Sequence, residues 1–174
     1  HHQRDTWFIP GKSPITTCEI HREVLISNQT GQRLCKTPQN PKLAHAEIFE
    51  FWPTDLVSTF KRFGITKKEV PKFESTCSLT EIQGKGSAPQ ITSPRAGVNY
   101  KIRIGFKDKN EIPLLAILDG DANKVTWFIN DELIGISESK KPILWEARPG
   151  IYKVRAVDNL GRTDSRELSV QVTQ

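Results

Sequence analysis

The chain has 174 residues, 36% of them hydrophobic, and a formal net charge of +5, with an isoelectric point near 9.2 and a mean hydropathy of −0.47. That length holds one domain or two small ones around a modest core, and no apolar run approaches the ~20 residues that cross a bilayer as a helix. The basic residues are dispersed. Their densest cluster, Lys67-Lys68 near Lys61-Arg62, lies beside Glu69 and lacks the aromatic and arginine interleaving of a nucleic-acid motif, so it reads as a solvated face.

The chain opens on His1 and His2, which fit the remnant of a purification tag, and HHQRDTW has no apolar stretch behind its basic residue to make a signal peptide. The expectation is a piece of a longer protein, with any export signal or anchor upstream. Ile9-Pro10-Gly11 and Ser13-Pro14 punctuate an extended segment. A hairpin is predicted next: the strand Glu23 to Ser27, the turn Asn28-Gln29-Thr30-Gly31 with Gly31 at positive φ, and a return strand Gln32 to Cys35. Lys36 to Pro41 is a polar loop. A helix is predicted over 53–63. Pro53 needs no amide hydrogen there, Thr54 and Asp55 suit the positive end of its dipole, and Leu56, Val57, Phe60 and Phe63 share one face. Gly64 is a natural C′ residue. Ile48, Phe49, Phe51 and Trp52 are expected to bury the helix against the hairpin or a neighbouring domain. Gln83 to Pro89 has linker composition, which divides the chain into 1–86, an irregular collar with one hairpin and one helix, and 87–174.

The second part repeats strand signals at sandwich spacing. Strands are predicted at Gln90 to Ser93, Asn99 to Phe106, Pro113 to Leu118 (nearly all apolar, hence central), Lys124 to Ile129, Ile143 to Trp145, and the two closing segments around Tyr152 to Ala156 and Glu167 to Val172. The last shows the period of a strand with one wet face. Asp158-Asn159-Leu160-Gly161 turns between them. The predicted fold class is mainly β: an Ig-like antiparallel β-sandwich of about seven strands, preceded by a small irregular α+β segment. Trp127 fits the core-filling indole of such a sandwich, and Tyr152 the tyrosine corner.

Motifs that carry chemistry are weak. Ser58-Thr59-Phe60-Lys61 and Ser137-Glu138-Ser139-Lys140 match S-x-x-K, the nucleophile motif of penicillin-interacting serine enzymes, but no S-x-N occurs and Lys36-Thr37-Pro38 puts proline where K-T-G needs glycine. The first match places its lysine in a solvent-facing last turn and the second is expected in a loop. Gly11-Lys12-Ser13 lacks the earlier glycine of a P-loop. Asp119, Asp121 and Asn123 alternate as in a calcium loop, without its sixth-position glycine or twelfth-position glutamate, and read as a polar turn. His21 beside Glu19 and Glu23 reads as a surface salt-bridge residue, with a weak metal ligand as the lesser alternative. Asn28-Gln29-Thr30 is a glycosylation sequon only in a eukaryotic secreted protein. Of the three cysteines, Cys18, Cys35 and Cys77, the odd count leaves one without an internal partner. In an exported protein Cys35 and Cys77 have the option of a disulfide, with Cys18 pairing upstream; in a reducing compartment all three are thiols. No catalytic, cofactor-binding or metal-binding set is read from the sequence.

Taken in order, Trp7-Phe8-Ile9-Pro10-Gly11, Ser13-Pro14, Cys18-Glu19-Ile20-His21-Arg22, Thr30-Gly31, Arg33-Leu34-Cys35 and Glu50-Phe51-Trp52-Pro53-Thr54-Asp55-Leu56 resemble the region that follows the transpeptidase domain in the penicillin-binding protein 1C family of bifunctional class A peptidoglycan synthases. Ser93-Pro94, Tyr100, Trp127-Phe128, Pro149-Gly150, Asp158 and Gly161-Arg162 are similar to that family's C-terminal module. The resemblance implies a bacterial parent anchored in the inner membrane, with a glycosyltransferase that polymerises lipid II and a serine transpeptidase in the periplasm. Neither active site has a positional match in this chain. It implies a collar docked on the parent's own transpeptidase domain and a module that regulates the enzyme or recruits partners, among them a large α2-macroglobulin-like periplasmic protein. The alternative is a peptidoglycan-binding module in which Trp145 or Phe128 stacks on sugar rings. An oxidising periplasm favours the Cys35–Cys77 pairing.

Overall fold

The computed structural model describes residues 7, 9, 10, 12, 18–82, 86–103 and 110–173. The chain forms β1 (His21–Ser27), a 3-10 turn (Pro41–Leu43), β2 (Ala44–Glu50), α1 (Thr54–Arg62), α2 (Leu79–Ile82), β3 (Gln90–Ser93), β4 (Asn99–Ile102), β5 (Glu111–Ile117), β6 (Lys124–Ile129), β7 (Glu132–Glu138), β8 (Ile143–Glu146), β9 (Gly150–Asp158) and β10 (Thr163–Val172). The last eight strands make two sheets, ordered β4-β10-β9-β6-β7 and β3-β5-β8. This is an Ig-like sandwich in which β10, β9 and β6 take the G, F and C places and β5 is central in the opposing sheet, as its apolar run predicted.

Alternation places the core. Ile112, Leu114 and Ala116 of β5 face Val125, Trp127 and Ile129 of β6, Val154 and Ala156 of β9, and Leu168 and Val170 of β10. Trp127 is 0% exposed, and its indole N–H donates to Ser137 Oγ at 3.1 Å. The Tyr152 hydroxyl donates back to the Arg148 carbonyl at 3.1 Å, the hydrogen bond of a tyrosine corner. The turn Asp158 to Gly161 forms as expected: Gly161 has φ +79°, and Asp158 Oδ1 accepts from the Leu160 and Arg162 amides.

The structure corrects the sequence reading in several places. The sandwich has eight described strands, because Glu132–Glu138 is a strand paired with β6; Ser137 therefore lies in a strand and not in a loop. The sandwich is not wholly antiparallel, since β4 runs parallel to β10. Its strand ends at Ile102, and Ile104 to Phe106 lie outside the described residues. The turn after β1 closes as predicted, with Gly31 N–H on Ser27 O at 2.9 Å, but the ladder partner of β1 is β2, from His21↔Glu50 to Ser27↔Ala44. The return segment keeps one bridge, Ile26↔Arg33, and Arg33 bridges on to Phe73.

Helix α1 begins after Pro53 and ends at Arg62, with Phe63 as its C-cap and Gly64 at φ +70°. None of its residues is buried. Phe60 meets Trp52 edge-on at 5.2 Å, whereas Leu56 and Phe63 remain exposed, Phe63 by 70%. The expected burial of the helix face by Ile48 and Phe49 does not occur. Phe49 and Phe51 turn instead to Ile26, Val24 and Val70 in a second, small cluster. So few side chains make a marginal core, and the segment is held by its contact with the sandwich.

Candidate functional site

That contact is built from charge. Three arginines and three aspartates, remote in sequence, meet where the N-terminal segment lies against the β5–β6 and β9–β10 loops. Arg162 Nε reaches Asp158 Oδ2 at 2.6 Å, and its two terminal nitrogens reach Asp119 Oδ2 at 3.3 Å and Asp121 Oδ1 at 2.8 Å. From the other side, Arg22 Nη1 pairs with Asp119 Oδ2 at 2.5 Å and Arg33 Nη1 with Asp121 Oδ2 at 3.0 Å. Arg33, Arg162, Asp119 and Asp158 are all buried, and buried charges persist only when paired and hydrogen-bonded.

The two buried arginines respond in opposite directions. Burial pulls Arg33 below its ordinary range, and Arg162 adds repulsion. Burial works the same way on Arg162, but Asp121 and Asp158 together outweigh it and raise it. Arg33 also stacks over the Phe73 ring at 4.0 Å, a desolvated cation–π contact, and its buried Nε–H has no hydrogen-bond partner among the described residues. A cavity of about 520 Å³ opens beside it, lined by Val24, Leu25, Phe73, Arg22 and Lys36 among others. Each of those cations is already paired, Lys36 with Glu81.

Backbone contacts complete the junction. The Thr54 amide donates to Leu118 O at 3.0 Å, and the Leu118 amide donates to Thr54 Oγ1 at 3.1 Å. Gly120 lies so close to Trp52 that a Cβ would stand 2.6 Å from the Trp52 carbonyl oxygen. The alternating Asp119 and Asp121 that suggest a calcium loop are thus anchors, their carboxylates occupied by arginine. Among the described residues, no group of three or more His, Cys, Asp or Glu side chains is placed to hold a metal, and no helix is long and apolar enough to cross a membrane.

The second surface is the outer face of the five-stranded sheet. Strand alternation turns Thr126 and Phe128 of β6 outward, since Val125, Trp127 and Ile129 are buried. The register sets Leu133 and Arg155 on either side of Phe128, and Ile136 and Val157 on either side of Thr126. Leu133 is 58% and Ile136 65% exposed. The Arg155 guanidinium lies 5.0 Å over the Phe128 ring and pairs with Asp131 at 3.0 Å. The result is an apolar row on an edge strand, rimmed by charge.

Phe128 and Trp145 are not brought together. Trp145 lies on β8 of the opposing sheet, packs against the sandwich core, and meets Tyr152 edge-on at 4.8 Å. Cys35 and Cys77 are joined by a disulfide, with Cα atoms 5.8 Å apart. Ser58 donates to the Asp55 carbonyl at 2.8 Å, and both Ser58 and Lys61 are exposed on α1. Gly11 and Ser13 of the P-loop-like string lie outside the described residues. The sequence reading missed Arg33 and Arg162, because no local pattern marks charges that pair across the fold, and missed Leu133 and Ile136 with their strand.

Fold and surfaces define a class: an Ig-like β-sandwich with a small α+β segment fixed to one end by buried ion pairs. Residues 80–171, more than half of the chain, match the profile of the Penicillin-Binding Protein C-terminus Family, and the chain belongs to that family. Among solved structures, it is similar to one described as structures of Clostridium thermocellum CbhA fibronectin(III)-like modules. The identity is 14%, the match covers 49% of this chain and 99% of that one, and the TM-score is 0.36. The Ig-like fold stands on the strand order alone. The comparison with curated proteins returns no match.

Proposed function

We propose that this chain is the non-catalytic C-terminal region of a periplasmic, membrane-tethered bifunctional peptidoglycan synthase of the penicillin-binding protein 1C kind, and that its sandwich recruits a protein partner. The observation that carries the recruiting role is the pair of exposed side chains Leu133 and Ile136 on the edge strand β7, beside the half-buried Phe128 of β6. An apolar patch rimmed by charge is what a protein interface requires. The partner class is the large α2-macroglobulin-like periplasmic protein that the resemblance implies. The exposed Leu56 and Phe63 of α1 support a second contact, with the parent's transpeptidase domain.

The test is a pull-down from periplasmic extract on the wild-type chain and on Leu133→Asp/Ile136→Asp. The wild type retains a specific partner of that class and the variant loses it. Equal recovery on both, or no specific partner, removes the reading. Glycan binding is less well supported, because Trp145 is half-buried against Tyr152 and the Phe128 face is covered by Arg155. Sacculus co-sedimentation unaffected by Trp145→Ala eliminates it.

A further inference from the structure

The N-terminal end of β1 carries a separate cluster. Cys18 Sγ lies 3.2 Å from His21 Nδ1, and on the far side of the same ring Nε2 faces Glu50 Oε1 at 3.6 Å. Glu50 is the register partner of His21 across β1 and β2. Its other oxygen is held by Trp52 Nε1–H at 2.7 Å and by the Lys67 ammonium at 2.8 Å. Strand pairing thus fixes imidazole and carboxylate, and the bend at Glu19-Ile20 brings the thiol onto the ring.

Nucleophile, base and orienting group stand in line, the arrangement that activates a thiol. Cys18 is a free, exposed thiol, whereas Cys35 and Cys77 are joined. Among the described residues, Glu50 from β2 faces the imidazole and Lys67 from the segment after α1 faces Glu50. Arg22, one residue further along β1, is turned away, with Nε on the Glu19 carbonyl and Nη1 on Asp119. The hydrogen bond from His21 lowers the Cys18 thiol to about 7, and the same contact raises His21. A thiolate is therefore present near neutral pH, and the thiolate is the reactive form.

We propose that Cys18, His21 and Glu50 form a thiol–disulfide exchange site at which small-molecule disulfides of the glutathione type modify the chain reversibly. The Cys18 thiolate attacks one sulfur of the disulfide, and the new S–S bond forms as the old one breaks. The departing thiolate carries away the bonding pair and takes the proton that His21 received from Cys18. One disulfide replaces another, so the small molecule is the only oxidant required.

The experiment incubates the purified chain with oxidised glutathione from about pH 5.5 to about pH 9.5, beside Cys18→Ser, His21→Gln and Glu50→Gln, and follows the adduct by intact-mass spectrometry. One adduct per chain is expected, absent from Cys18→Ser, with a rate–pH midpoint of about 7 as set by the thiol. In His21→Gln the midpoint rises toward the ordinary ~8.5. Near pH ~6.5 that variant loses roughly 25-fold in thiolate but regains about fivefold in nucleophilicity, so its rate falls about fivefold. Glu50→Gln shifts the midpoint in the same direction by less. Absence of an adduct, a wild-type midpoint at the ordinary value, or identical profiles for wild type and His21→Gln overturns the proposal.

Discussion

Replacing Arg162 by methionine keeps most of the side-chain length and removes the charge that joins three carboxylates. The consequences can be followed oxygen by oxygen. Asp121 retains Arg33, and Asp119 retains Arg22 and the amides of Ser87 and Gly120. Asp158 keeps its two backbone donors but loses the guanidinium at 2.6 Å. Removing one partner of a buried pair costs about 3–5 kcal/mol. Because no carboxylate is left wholly without donors, the loss should fall near the lower limit, about 3 kcal/mol. With a guanidinium m-value of roughly 4 kcal/mol/M for a chain of this size, the midpoint moves down by about 0.75 M. The cluster bridges two parts of the molecule, so the amides of β1 and β2 should lose hydrogen-exchange protection before those of β6 and β9. Adding Asp158→Asn to Arg162→Met should cost much less than it does in the wild type, because the charge it removes is already unpaired. A loss under about 1 kcal/mol, or uniform loss of protection in both parts, would refute the assignment of the cluster as the joint.

Three further outcomes are expected. Ser137→Ala strips the buried Trp127 indole N–H of its acceptor and should cost about 1–3 kcal/mol in thermal or chemical denaturation. Breaking the Cys35–Cys77 link, which spans 42 residues, should cost about 4 kcal/mol in the chain-entropy description, measured by denaturation with and without reductant. Glu81 is held at about 2, down from 4.5, first by its hydrogen bond to Lys36 and then by the Ser78 amide. A depressed carboxyl contributes stability above its unfolded value and loses it as pH falls through the folded one. Lys36→Gln should therefore be less stable than wild type at neutral pH, and the difference should shrink between about 4.5 and about 2.

How much was legible in the chain depended on whether the period of side-chain direction survived. Strands β6, β9 and β10 alternate cleanly, so their buried positions, Trp127 above all, could be named from the sequence. In β7 an extra residue, Ile134, opposite the Trp127–Phe128 step of β6, breaks the period: Leu133 and Ile136 face out while Ile134 packs against the core, and no alternation is left to find. In β2, Ile48 is exposed and Phe49 buried, and two adjacent apolar residues hide the face. Helix α2 did leave a mark. Ser78-Leu79-Thr80-Glu81 is a capping-box pattern, and the Ser78 amide does donate to Glu81 Oε2 at 3.0 Å. Apart from Asp158 and Arg162, which lie four residues apart, the arginine–aspartate joint could not be read, because its other pairs span 41 to 97 positions and each member looks locally like a solvated charge.

The outermost strand, β7, also bears on solubility. Its sequence runs from Glu132 to Glu138 with Gly135 at the midpoint. Were two molecules to align these margins head to tail about that glycine, each Glu132 would confront the other molecule's Glu138, twice over. Repulsion of this kind, reinforced by the kink of the bulge, is how natural sheets discourage uncontrolled growth into fibrils. An apolar margin, the one proposed to meet a partner, is in this way kept from pairing with a second copy of itself.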